Sequence, residues 1–255
     1  LLSICRFPTN SGARTIKAMT TATYHSPLSI PLKQDATIIG LVGLAHASSH
    51  FAHLLLPLMF PVFMKEFGLS YSQLGLLMTV FFVVSGIGQA SAGFVVDRLG
   101  ARPLLFVALG IFVVACAAAS MVTGYTGLLL VAALAGLGNA TFHPVDFTIL
   151  NQRVSAPRLG YAFSAHGLTG NLGWAVAPIF FASISSLYNW RTAYLAAAAM
   201  YVGILVLLVV QGGLSHAGAV DHPGVLGEYY SPRAFAMISS ATLFGTWAYE
   251  SNCME

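Results

Sequence analysis

The stretch Gly-Leu-Gly-Asn-Ala-Thr-Phe-His-Pro-Val-Asp, residues 136–146, lies inside an otherwise apolar segment that is long enough to cross a membrane. Asn139, His143 and Asp146 stand at positions i, i+4 and i+7, so they share one face of an α-helix. Pro144 removes one backbone donor among them, which predicts a kink. Ionisable groups inside a membrane usually face a bundle interior or a water-filled cavity. The stretch therefore predicts a membrane helix whose polar face has a function.

The residue composition agrees with a chain that crosses the membrane several times. Of its 255 residues, 57% are hydrophobic and only 7% are charged, whereas soluble domains carry about 25% charged residues. The basic residues are scattered singly, so the net charge of +3 does not indicate nucleic-acid binding. The three cysteines form no disulfide or metal-binding spacing, and nothing in the sequence predicts a cofactor.

The apolar segments predict an all-α membrane protein with six spanning helices and the start of a seventh. The six are expected at residues 38–64, 72–96, 103–122, 128–152, 161–187 and 192–211, and the seventh at 234–249. The expected domains are a tail at 1–37, a six-helix domain at 38–211, a central loop at 212–232 and a truncated helix 7 at 233–255. Met19 is a plausible start, so residues 1–18 are expected not to be native, and no cleavable signal peptide is predicted.

The positions of Lys and Arg predict how the helices are oriented in the membrane. The N-terminal tail, the loops after helices 2 and 4, and the segment after helix 6 carry nine of the 11 basic residues. The opposite side carries only Lys65 and Arg191. Because the cytoplasmic side has an excess of Lys and Arg, the N-terminus and the central loop are expected to be cytoplasmic.

The polar spacing of helix 4 also occurs in helix 1, where His46, His50 and His53 stand at i, i+4 and i+7. The two helices are expected to cross the membrane in opposite directions. Three helices repeated with inverted topology are typical of transporters, in which corresponding helices line a central site. The sequence therefore predicts 3+3 inverted repeats, with the polar residues of helices 1 and 4 along a pathway for substrate and protons.

Three interpretations of the helix 1 histidines are open: they line a cavity, pack against neighbouring helices, or bind a metal ion. Histidines at i and i+4 can share a metal, but no acidic or cysteine ligand accompanies them on that helix, so no metal site is predicted. Because intramembrane ionisable groups are rare, the cavity interpretation is favoured. His166 in helix 5 can face the cavity or a neighbouring helix, and the sequence leaves both alternatives open.

The connection between helices 2 and 3 carries a motif with fixed spacing. It reads Gly93-Phe94-Val95-Val96-Asp97-Arg98-Leu99-Gly100-Ala101-Arg102. This resembles the signature loop of the major facilitator superfamily, Gly-x-x-x-Asp-Arg-x-Gly-x-Arg/Lys, and all the fixed positions are met. In that family the loop latches the two halves of a transporter and controls its opening.

The residue types of this motif suit a gating loop. Gly93 is expected to let helices approach closely, and Gly100 to permit a tight reversal. Asp97 can interact with a neighbouring helix terminus or a basic group. Arg98 and Arg102 are expected to stay at the anionic cytoplasmic surface.

The resemblance covers about residues 38–250, which implies the N-terminal half of a twelve-helix transporter. The Gly-x-Gly-x-x-x-Phe-His-Pro run at 136–144, together with His46, is similar to the subgroup of fosmidomycin-resistance efflux proteins. Two features depart from the family pattern. Helix 4 lacks the arginine of many proton-coupled members, so His143 and Asp146 would have to replace it. The helix 5 antiporter motif has alanines in place of glycines.

The resemblance implies a secondary active transporter and not an enzyme. It is expected to move a small polar or anionic organic solute by alternating access, coupled to protons, in the bacterial inner membrane. Its implied partners are the solute, protons, the lipid bilayer and the missing C-terminal half. Two alternatives are an intramembrane enzyme that uses the His/Asp cluster and a truncated, non-transporting fragment. The enzyme has no paired metal signature or activated nucleophile to support it.

Overall fold

The computed structural model describes residues 31–211, and within that range it contains eight α-helices and no strand. The α-helices are α1 (Leu32–His53), α2 (Phe60–Phe67), α3 (Tyr71–Leu99), α4 (Ala101–Met121), α5 (Tyr125–Asn139), α6 (Phe142–Arg153), α7 (Leu159–Leu187) and α8 (Trp190–Gln211). Short 3-10 helices at Pro57–Met59 and Ala156–Arg158 precede α2 and α7. The predicted all-α class is confirmed.

These helices form six segments that are long and apolar enough to cross a membrane. In chain order, spans 1 to 6 are Leu32–Phe67, Tyr71–Leu99, Ala101–Met121, Tyr125–Arg153, Ala156–Leu187 and Trp190–Gln211. Their number agrees with the predicted six-helix domain. Most of the predicted tail, the central loop at 212–232 and the seventh helix lie outside the described residues.

Span 1 begins at Leu32, six residues before the predicted start at residue 38. Asp35 falls in the tail expected at residues 1–37. In the structure Asp35 lies in the first turn of α1, where the positive end of a helix stabilises a carboxylate. Its side chain is buried and accepts hydrogen bonds from Ser155 and from the Arg158 guanidinium, the latter at 2.7 Å. Contacts from another part of the chain thus extend the helix through a charged residue.

Spans 1 and 4 are interrupted. In span 4, α5 ends at Asn139 and α6 begins at Phe142, so the predicted kink is a complete break between two helices. Pro144 lies in the first turn of α6, where a missing backbone donor is tolerated. Span 1 was expected to be one helix, but α1 ends at His53 and the chain continues through a 3-10 turn that starts at Pro57. Both interruptions lie directly beside the predicted polar residues.

Close helix contacts at glycines determine which polar faces meet. α1 packs along α7, and α5 packs against both α3 and α4. A Cβ on Gly173 of α7 would overlap the backbone carbonyl of Ala47, and one on Gly136 of α5 would lie 2.5 Å from the carbonyl oxygen of Phe81. Small residues at such positions allow membrane helices to approach at backbone distance. The α1–α7 contact places the histidines of span 1 next to span 5.

Ion pairs connect the helices at both ends of the bundle. At one end, Arg191 contacts Glu66 at 3.1 Å and donates to the carbonyl oxygens of Ser120 and Val122. At the other end, Arg158 contacts Asp35. Because Glu66 follows Lys65 directly, Lys65 and Arg191 lie at the same end, as the distribution of basic residues predicts. Which end is cytoplasmic stays a prediction.

Candidate functional site

Two hydrogen bonds between spans 1 and 4 join the residues that the sequence pattern singled out. His46 Nδ1 lies 3.1 Å from Asp146 Oδ2, and His53 Nε2 lies 3.1 Å from Asn139 Oδ1. The first polar residue of the pattern in span 1, His46, therefore contacts the last one in span 4, Asp146. The last one in span 1, His53, contacts the first one in span 4, Asn139. This crossed pairing follows from equal spacing on two antiparallel spans. The rings of His50 and His143 lie between the two bonds, with centroids 6.2 Å apart.

Asp146 is the centre of the polar cluster. Its side chain is fully buried, and Oδ2 accepts from His46 Nδ1 and from His166 Nε2, the latter at 3.2 Å. Oδ1 has no hydrogen-bond partner among the residues that the structure describes. A buried carboxylate oxygen without a partner costs free energy, and a bound proton or cation removes that cost. The carboxyl group is therefore suited to bind a positive charge.

His166 joins the cluster from a third span. It lies on α7, is buried, and contacts Asp146 of the neighbouring helix α6. Its ring stacks on that of His46 with 3.5 Å between centroids. Gly170, one turn later on α7, makes this approach possible, since a Cβ there would lie 2.9 Å from His46 Nε2.

Several ring nitrogens in the cluster have no partner. Both ring nitrogens of His50 and Nδ1 of His143 are buried and make no hydrogen bond with any residue in the range 31–211. One ligand atom each from His46, His143 and His166 lies within 4.8 Å of the other two. The three histidines come from α1, α6 and α7, so they are not the helix 1 set that the sequence analysis considered for metal binding. Lone pairs and N–H groups of neutral imidazoles can accept protons, donate hydrogen bonds or bind metal ions.

A chain of hydrogen bonds extends the cluster away from Asp146. Trp174 Nε1 donates to His53 Nδ1 at 3.2 Å, and Asn139 Nδ2 donates to Ser85 Oγ at 2.7 Å. Gln89 Nε2 donates to the same Ser85 hydroxyl. The sequence analysis did not single out Ser85, Gln89 or Trp174. The available signal was weak: isolated polar residues in an apolar span, and a tryptophan in the partly matching antiporter motif.

All seven predicted pathway residues thus lie in one connected group. The seven are His46, His50, His53, Asn139, His143, Asp146 and His166. The side chains of four of them are buried, namely His46, Asn139, Asp146 and His166, whereas those of His50, His53 and His143 are half-buried. The group lies in the interior, at the interruptions of spans 1 and 4.

The predicted gating motif lies elsewhere, at the junction of spans 2 and 3. Most of it is helical, because α3 continues to Leu99, and the reversal is confined to Gly100, whose φ of +84° favours glycine. Asp97 and Arg98 are exposed, and Asp97 makes no ion pair within residues 31–211. A Cβ on Gly93 would meet no atom within 4 Å among the described residues, so a close helix approach there stays a prediction. Arg102 lies over the ring of Phe106.

Comparisons with known proteins give the fold a family context. The family model described as Major Facilitator Superfamily matches residues 42–249. A probable L-galactonate transporter of Escherichia coli is 26% identical over 58% of this chain and 32% of its own length. The fosmidomycin resistance protein of Escherichia coli is 25% identical over 67% of this chain and 42% of its own.

A third similar protein, the membrane sensor protein UhpC of Salmonella typhimurium, is 28% identical over 55% of this chain and 32% of its own length. The chain thus spans less than half the length of the curated relatives that it matches.

Proposed function

Because this chain belongs to the Major Facilitator Superfamily, we propose that it is part of a secondary active transporter driven by protons. The proposed substrate is a small polar or anionic organic solute, which is moved by alternating access. The names of two relatives, one for L-galactonate transport and one for fosmidomycin resistance, support a small organic solute. Membership in a transporter family gives no support to the intramembrane enzyme.

We infer that the chain is the N-terminal half of that transporter. The match covers 32% to 42% of the length of the three relatives, which is within one half of each. A C-terminal half would complete the solute pathway in the lipid bilayer. The proposed location is the bacterial inner membrane, with the N-terminus in the cytoplasm.

One observation carries the proposal of proton coupling: Asp146 is fully buried, accepts from two histidines, and keeps one oxygen without a partner among the described residues. In the ionised state, His46 and His166 stabilise the carboxylate by donating to Oδ2. Protonation of Oδ1 neutralises the buried charge and provides a new donor. The ring nitrogens of His50 and His143 then offer acceptors in the same cluster.

Movement of the proton would therefore change the charge and the hydrogen bonds at the contact of spans 1, 4 and 5. A change of charge in a packed interior favours one arrangement of the helices over another. The proposed gating residues at the other site, Gly93, Asp97, Arg98, Gly100 and Arg102, would stabilise one of these arrangements through contacts with the second half.

The test replaces Asp146 by Asn in the full-length protein reconstituted in vesicles. Asn keeps the shape and most hydrogen bonding but cannot ionise. We expect solute exchange to continue, while accumulation driven by a pH gradient is lost. Gln152→Ala, at an exposed position of the same helix, is the matched control and should retain accumulation. Gradient-driven accumulation by the Asp146→Asn protein, with unchanged pH dependence, would show that Asp146 is not the coupling acid.

A second candidate function is solute sensing without net transport, because one relative is named a membrane sensor protein. The non-transporting fragment would behave similarly in vesicles. Both candidates predict that solute binding occurs without accumulation or exchange. Measuring exchange and accumulation in the same vesicles therefore distinguishes them from a transporter.

A further inference from the structure

We propose that His46, His143 and His166 form a binding site for one divalent transition-metal ion of the zinc and nickel class. Asp146 would orient two of these ligands and supply a negative charge. This inference goes beyond the proposed transport cycle, because it concerns ion binding and holds whether or not the chain moves a solute. It also reverses the expectation from sequence that no metal site is present.

The sequence pattern does not indicate this set of ligands, because they come from different helices. The predicted range of helix 1, residues 38–64, contains no acidic partner for its histidines. Folding brings His46 of α1 together with His143 of α6 and His166 of α7. The search for ligands along one helix could not detect this set, because the spacing along the chain between these residues follows no metal-binding motif.

The distances suit a shared ion. One ligand atom of each histidine lies within 4.8 Å of the others. Two nitrogens that each lie about 2.0–2.1 Å from the same zinc ion are at most about 4.2 Å apart. Small ring rotations are therefore sufficient to close the site, and His143 Nδ1 has no hydrogen bond within residues 31–211 that would resist such a rotation.

Asp146 provides the support that metal-binding histidines usually have. Such histidines commonly donate their second ring N–H to a carboxylate, which fixes the ring orientation. Asp146 Oδ2 contacts ring nitrogens of both His46 and His166, at 3.1 and 3.2 Å. Its negative charge also offsets part of the charge of a divalent ion in a buried setting. The carboxylate thus holds two of the three rings in a fixed relation.

The donor types decide which ions fit. Imidazole nitrogens suit zinc, copper, nickel and iron, whereas magnesium and calcium prefer oxygen ligands. Three imidazoles are a donor set that is known from zinc sites with one open position. Magnesium and calcium should therefore bind poorly here.

The test uses the 255-residue chain, purified in detergent and stripped of metal with a chelator. His25, His216 and His222 lie outside the described range and could bind metal on their own, so the parent protein carries Gln at all three positions. Zn²⁺ is titrated by calorimetry, and Co²⁺ is titrated by its visible ligand-field absorption. We expect one ion per chain, with no effect of millimolar Mg²⁺ on the Co²⁺ spectrum.

Variants test the ligands one by one. Asp146→Asn should weaken Zn²⁺ binding about 10–100-fold, as is typical for a carboxylate that orients metal ligands. His143→Gln and His166→Gln should weaken it more than Asp146→Asn does. Ser49→Ala is the matched control on α1: its hydroxyl donates to the backbone carbonyl of His46 and makes no hydrogen bond with a ring of the site in the described range, so affinity should not change. Using two separate ligand variants keeps the test decisive if one of them does not fold.

Equal Zn²⁺ affinity in the parent and in every folded ligand variant would overturn the proposal, and so would the absence of stoichiometric binding. The outcome is distinct from that of the transport experiment. Loss of gradient-driven accumulation in Asp146→Asn, combined with no metal binding by the parent, would leave the transport proposal standing and reject this one. Metal binding by the parent, combined with no solute transport by the full-length protein, would support the metal site and reject the transport proposal.

Discussion

Asp97 and Asp146 stand in opposite surroundings, although both are carboxylates on helices of the same domain. Asp146 is fully buried among histidines, whereas Asp97 is exposed and makes no ion pair in the described range. An exposed carboxylate contributes little to the stability of its own domain. We therefore expect Asp97 to affect the conformational change of the transporter and not the stability of the fold.

Replacing Asp97 by Asn in the full-length protein removes the charge and keeps the shape. We expect normal membrane insertion, a free energy of unfolding within about 0.5 kcal/mol of the parent, and slower transport because the equilibrium between the two states shifts. The measurement is solute exchange in vesicles, and Asp97→Glu, which retains the charge, is the control. Equal exchange rates in all three proteins would argue against gating by this loop.

The polar residues of the cluster differ in how far the sequence predicts them. The spacing of three polar residues in an apolar helix identified those on spans 1 and 4, because a membrane makes such residues costly anywhere but in the interior. Ser85 and Trp174 were not identified, since a single hydroxyl or indole in an apolar span is compatible with many positions. Their roles depend on which helices pack together, and that is a property of the tertiary structure.

At the scale of helices, the contact of α1 with α7 depends on glycine. Gly173 faces the backbone of Ala47 directly, whereas Gly167 of the same helix has no atom within 4 Å of a Cβ among the described residues. The two glycines therefore provide a matched pair for the same substitution.

Gly173→Ala should destabilise the domain by about 1–3 kcal/mol, because the added methyl group has no space beside the α1 backbone. Gly167→Ala should cause no loss, since the side chain enters open space and alanine has the higher helix propensity. Thermal unfolding of both variants in detergent measures the difference. Equal melting temperatures for the two variants would contradict the close α1–α7 contact.

The boundaries of the helices show where prediction from sequence fails. Apolar length alone predicted six spans, but the start of span 1 was placed six residues late, so that Asp35 fell in the expected tail. The break after His53 was missed as well, although Pro57 and Pro61 signalled it. Asp35 is accommodated in the helix through partners elsewhere in the fold, which hydropathy does not contain, whereas the effect of proline is local.

At the scale of the whole molecule, two ion pairs lie at opposite ends of the helix bundle. Arg191 and Glu66 meet at one end of the bundle, and Arg158 and Asp35 meet at the other. This separation matches the segregation of Lys and Arg in the sequence. That the Arg158 end is cytoplasmic stays a prediction from the excess of Lys and Arg in the loops at that end.

Cysteine labelling tests that orientation. In full-length protein without native cysteines, Lys65→Cys and Arg98→Cys place one thiol at an exposed position near each end. An impermeant thiol reagent applied outside intact cells should label only Lys65→Cys, and disruption of the membrane should be needed to label Arg98→Cys. Labelling of both from the same side would reject the six-span arrangement.

The crossed pairing of spans 1 and 4 has a consequence for where a charge can lie. The two ends of the paired polar face differ in chemistry: His46 contacts a carboxylate, Asp146, and His53 contacts an amide, Asn139. A carboxyl group can gain or lose a proton, whereas an amide cannot. Of the two acceptors on span 4, only the one at the Asp146 end can therefore carry a charge, although the spacing of the two pairs along the helices is the same.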